Sequence, residues 1–82
     1  MNYLVGDIGN TSLKISILNS NFYIKKSYNV ETNELYTKKN INRFFNKFLN
    51  KNINKKILFS SVVPKSYKTI KNYLKVRGFK TF

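Results

Sequence analysis

Residues 2–18 read NYLVGDIGNTSLKISIL, and the fold turns on how that stretch is parsed. Residues 2–6 are short and mostly apolar, as in a strand. Residues 12–19 alternate, with Leu13, Ile15 and Ile17 on one face and Lys14, Ser16 and Leu18 on the other, the period of a strand with one buried face. The bend between them starts with Asp7, one of only three acids in the chain, the others being Glu31 and Glu34. It gathers an acid, a glycine, an amide, two hydroxyls and a lysine. Two chemistries fit these residue types equally. Asp, Gly and Asn are turn formers, so Asp7, Ile8, Gly9 and Asn10 suit a plain hairpin. Alternatively, Gly9 permits positive φ and close approach of a ligand. Successive amide N–H groups with the Thr11 and Ser12 hydroxyls then cradle phosphate oxygens. In that arrangement Lys14 adds a cation, and Asp7 holds Mg²⁺ directly or through water.

Downstream, residues 19–21 form a turn cluster and residues 22–30 a third strand, giving an antiparallel meander. Residues 31–36 are a polar connection. The period changes from residue 37. Ile41, Phe44, Phe45, Phe48 and Leu49 form one apolar stripe of a helix running to about residue 51, more consistent with core than with a membrane-surface helix. Residues 55–63 are an apolar strand with little alternation, the pattern of a strand covered on both faces and lying parallel to the first. Pro64 suits the first turn of a second helix, which carries Tyr67, Ile70, Tyr73 and Leu74 on one face and ends at Gly78. Residues 79–82 begin another strand. The expected class is α/β, a mixed sheet in the order β-β-β-α-β-α-β with Phe44/Phe48 and Ile70/Leu74 packed on it.

Composition narrows the function. At 82 residues the chain is one small domain or a piece of a larger one. It has no apolar run long enough to span a membrane and no signal-peptide layout. Without Cys or His there is no disulfide, no thiolate metal site and no histidine base. A cytoplasmic protein without a membrane partner is expected. The net charge of +13 invites nucleic acid. Yet all basic residues except Arg43 and Arg77 are lysines, in a chain rich in Asn, Ile, Tyr and Phe and lacking Ala and Gln. That composition follows A/T-rich codons, and Arg, the better bidentate reader of phosphate and guanine, is avoided. A biased, solvated surface therefore outweighs a nucleic-acid face.

DIGNTSLK, residues 7–14, closely resembles the first phosphate motif of the actin-like, chaperone and sugar-kinase ATPase superfamily. Its Asp-x-Gly-Asn-Thr form resembles the type III pantothenate kinase family. FSSVVP, residues 59–64, is similar to that family's Ser-Val-Val-Pro segment at the end of the strand after the first helix. The resemblance extends over the whole chain. It implies the N-terminal part of an actin-like, ribonuclease H-like ATPase domain, with residues 1–82 an incomplete first subdomain. It also implies that Asp7, Ile8, Gly9, Asn10, Thr11, Ser12, Leu13 and Lys14 line the site for the ATP phosphates, and that Asp7 positions Mg²⁺. Residues 60–64 are expected to pack beside the cleft.

The implied reaction is ATP-dependent phosphorylation of pantothenate to 4′-phosphopantothenate, the first step towards coenzyme A, with ATP, Mg²⁺ and a monovalent cation (K⁺ or NH₄⁺). The family's Gly-x-Asp-Arg segment, which carries the catalytic base and binds pantothenate, is not in this sequence. No catalytic residue is therefore assigned here, and these residues alone are expected to be inactive. The resemblance further implies a homodimer for the full-length protein. Other members of the superfamily, including the Bvg accessory factor group, and a small basic nucleic-acid-binding module are the alternatives.

Overall fold

The computed structural model of the protein describes residues 1–50, 52–61 and 63–82, with residue 61 as backbone only. Five strands form one mixed sheet in the order β3-β2-β1-β4-β5. β1 (Asn2–Ile8), β2 (Ser12–Leu18) and β3 (Ile24–Glu31) are the expected antiparallel meander. β4 (Ile53–Ser61) lies parallel to β1, and β5 (Lys80–Thr81) parallel to β4. A short 3-10 helix (Thr32–Tyr36) and α1 (Lys38–Phe45) connect β3 to β4, and α2 (Pro64–Val76) connects β4 to β5.

The alternation in β1 and β2 sends Leu4, Ile8, Leu13 and Ile15 into one core with Ile53 and Ile57 of β4. α1 covers them with Ile41, Phe44 and Phe45, and α2 with Ile70 and Leu74. Each such side chain contributes about 1.5–3 kcal/mol when fully buried. Hydroxyl contacts fix the helices to one another. Tyr73 donates to Asn42 Oδ1 at 2.7 Å, and the Tyr36 and Ser66 hydroxyls share a hydrogen bond of 2.7 Å.

Several boundaries differ from the sequence expectation. β3 begins at Ile24, not at residue 22, because Asn19 Oδ1 accepts from the Asn21 and Tyr23 amides and Phe22 turns left-handed at φ 66°. Residues 31–36 are more than a polar connection: their 3-10 helix buries Thr32 and Leu35. α1 stops at Phe45, short of residue 51. There the bonding tightens, with Phe48 N–H donating to the Phe45 carbonyl, so Phe48 reaches the core from outside the helix. Asparagines then compete for the backbone, as Asn50 Oδ1 accepts from the Asn52 amide. β4 starts at Ile53, where it meets Asn2. Of the expected site segment, residue 62 lies outside the described residues.

α2 ends as its sequence suggests. Gly78 adopts φ +88°, Phe79 N–H donates to the Leu74 carbonyl and Gly78 N–H to the Lys75 carbonyl. This is a Schellman closure, sealed by the buried Leu74 and Phe79.

β4 is not covered on both faces. α1 and α2 both pack on its Ile53/Ile57 side, and Leu58 on the other side is 60% exposed. Val5 pairs with Leu58 and is only half-buried, so the open face has an apolar centre. Among the described residues no helix is long and apolar enough to cross a membrane.

Candidate functional site

The strand pairing of β1 with β2 decides where each motif residue points. β1 runs on to Ile8, so Asp7 lies within the strand and not just beyond it. Side chains alternate across the sheet, and Asp7 projects, exposed, from the face opposite the helices. Ile8 and Leu13, paired with one another, are fully buried on the helix side. Their side chains therefore belong to the core and are turned away from the face that carries Asp7.

The turn itself is closed by the Gly9 amide donating to the Ser12 carbonyl at 2.8 Å. Gly9 is not in the positive-φ region; among the described residues only Phe22 and Gly78 are. The conformational reason for a glycine here is therefore corrected, because the bend closes without left-handed backbone. What Gly9 retains is space: a Cβ there would meet only the Ser12 carbonyl oxygen, at 3.4 Å. Thr32 braces the turn from behind. Its amide donates to the Thr11 carbonyl at 2.9 Å and its hydroxyl to the Gly9 carbonyl at 3.4 Å.

Asn10, Thr11 and Ser12 are exposed and, with Glu31 and Asn33, line an open hollow of about 510 Å³. Lys14, also exposed, stands directly across from Asp7 in the β1–β2 register. On the other side of Asp7 the β1–β4 register places Ser60. Residues 60–64 were expected to pack beside the cleft, yet Ser60 is exposed on the same face as Asp7, while Pro64 opens α2. Thr32 and Ser60 were thus missed as contributors to this end of the sheet. The signal for Ser60 was its place at the end of a strand parallel to β1, since open α/β sheets bind ligands beyond the carboxyl ends of parallel strands.

Among the described residues no group of three His, Cys, Asp or Glu side chains could cage a metal. The donor set fits Mg²⁺ nonetheless. That ion commonly takes one or two carboxylates and completes its octahedron with water and substrate phosphate. An exposed Asp7 with the Ser60 hydroxyl beside it and an open hollow at the adjacent turn matches that demand.

The fold is shared with a candidate N-acetylmannosamine kinase from Listeria monocytogenes. The two superpose with a TM-score of 0.60 at 18% sequence identity, over 99% of this chain and 34% of that one. At that identity the likeness establishes a shared fold alone. The chain spans about a third of that protein's length. No curated protein sequence matches it. The profile of type III pantothenate kinase matches residues 3–80, which take in both motifs and the sheet but for its first and last residues, and the chain belongs to that family.

Proposed function

We propose that these residues form the ATP-phosphate half of an enzyme that phosphorylates pantothenate. The observation that supports this best is the placement of the family's motif. Asp7, Lys14 and the turn residues Asn10, Thr11 and Ser12 lie exposed together where two parallel strands reach their carboxyl ends. In the proposed reaction the pantothenate hydroxyl oxygen bonds to the γ-phosphorus of ATP, and the bond to the β,γ-bridging oxygen breaks, releasing ADP. Bound Mg²⁺, held through Asp7, supplies neutralisation of the phosphate charge. The Asn10 side chain and the Thr11 and Ser12 hydroxyls orient the phosphates beside the space that Gly9 leaves, and Lys14 draws off negative charge at the rim. Such transfers depend mainly on positioning and electrostatics. The base that takes the hydroxyl proton, the pantothenate contacts and the monovalent-cation site belong to family segments that residues 1–82 do not include. Both substrates are water-soluble, and the reaction is placed in the cytoplasm.

The test is Asp7→Asn in a protein carrying this N-terminus. Asn keeps the size and removes the charge. ATP-dependent phosphorylation of pantothenate is expected to fall on the order of 100-fold or more, with an unchanged melting temperature because Asp7 is exposed. Normal turnover at limiting Mg²⁺ would overturn the assignment.

A further inference from the structure

On the face of the sheet left open by the helices, one rung carries four polar side chains in line. The registers set Asn29 of β3 opposite Lys14, Lys14 opposite Asp7, and Asp7 beside Ser60 of β4. All four are exposed, and among the described residues none of their side chains makes a hydrogen bond or ion pair. The preceding rung on the same face differs. There Ser16 and Ser27 bond each other at 3.1 Å, and Val5 and Leu58 continue the line as apolar neighbours. Polar groups on this face thus satisfy each other in one rung and stand free in the next.

The free rung also has a direction. Towards β3, Lys14 offers only donors and a positive charge, and the Asn29 amide adds two N–H groups. Towards β4, Asp7 offers only oxygens and a negative charge, and Ser60 adds a hydroxyl oxygen. A magnesium–phosphate unit has the same polarity, a hard cation seeking oxygens beside an anion seeking N–H donors. Adjacent strands lie about 4.8 Å apart, so each pair of side chains can share one ligand group.

We propose that Ser60 and Asn29 are binding residues of this site, which complete it at either end. Ser60 joins Asp7 on the metal side, and Asn29 joins Lys14 on the phosphate side. The magnesium–phosphate unit then lies along the rung, with its metal towards β4 and its phosphate towards β3. This rests on the phosphate-site reading above and adds two residues and an orientation to it.

The test is binding by the chain itself, with Mn²⁺ as the metal probe and ATP in EDTA as the metal-free anion. Nitrogen-15 NMR spectra verify that each variant is folded. Ser60→Ala is expected to weaken Mn²⁺ uptake in the presence of ATP about fivefold and to leave metal-free ATP affinity within about twofold, with Ser60→Thr restoring it. Asn29→Ala is expected to do the reverse, weakening metal-free ATP about fivefold. Broadening by Mn²⁺ with ATP should be strongest at the Asp7 and Ser60 amides. If Ser60→Ala and Asn29→Ala act alike, or change nothing while Asp7→Asn does, this inference fails and the phosphate site stands. Broadening centred on Glu31 and Glu34 has the same meaning. If Asp7→Asn also changes neither affinity, the phosphate-site reading fails with it.

Discussion

Gly6 sits one residue before Asp7, buried in the middle of β1, and pairs with Phe59 of β4. A Cβ built there would overlap the Phe59 ring and come within 3.1 Å of Ile15 Cδ1. Gly6→Ala therefore forces the ring outward from its place against Tyr67, whose centroid lies 6.1 Å away. Overpacking of this kind costs about 1–3 kcal/mol. Replacing a strand glycine with alanine recovers roughly 0.5–1 kcal/mol of backbone entropy. A net loss of about 1–2 kcal/mol remains. For a domain this small, each kcal/mol lowers Tm by about 4–8 °C, so a drop of roughly 5–15 °C is expected in a thermal melt. Phe59→Leu should relieve the clash, so the double variant melts above the sum of the two single losses. A Gly6→Ala protein as stable as wild type, or a double variant that is merely additive, would refute this account of the strand pair.

Other expectations follow from the same geometry. Gly78→Ala forces a side chain into the left-handed region at φ +88° and should cost about 1–2 kcal/mol in urea unfolding, with Gly78→Asn milder. Thr37 caps α1 by accepting from the Asn40 amide at 3.4 Å, a long bond, so Thr37→Ala should cost only about 0.5 kcal/mol by the same measure. Gly9→Ala should leave Tm within about 2 °C, since the turn needs no positive φ, while crowding the approach of phosphate and weakening ATP binding in a titration. Leu58→Lys on the open face should change stability by less than about 0.5 kcal/mol and reduce concentration-dependent light scattering.

The meander was legible because Leu13, Ile15 and Ile17 keep a strict two-residue period, and the second helix because Pro64 and Gly78 mark its ends. Period alone carried the first helix too far. Phe48 faces the core as a helical residue would, but it does so from a tightened turn, and the asparagines that end the helix look like any polar face. β4 read as doubly covered because Ile57, Leu58 and Phe59 are apolar in succession. A run of that kind does not record which side the helices take. At the site, residue types pointed to Asp7 and the turn, since an acid in so basic a chain stands out. Neither Ser60 nor Thr32 carries such a signal, because their places beside Asp7 and the turn arise from strand register and from a 3-10 turn, both set by distant pairing. Gly6 was passed over as an ordinary strand residue, although an isolated glycine in a strand often marks close approach of a neighbour.

The central position of β1 also bears on the order in which the molecule is assembled. β1, β2 and β3 pair through short turns and can form as soon as they exist, whereas β4 begins only at Ile53 and must close a long loop to reach Asn2. Until then the outer edge of β1 presents unpaired amides and carbonyls, a template on which a foreign strand could add. The entry of β4 ends that exposure and in the same step brings Ser60 beside Asp7. Completion of the polar rung and closure of the sheet are therefore one event. A ligand that grips both residues favours the closed chain over the half-built one, and its presence should protect β1 from aggregation as the protein folds.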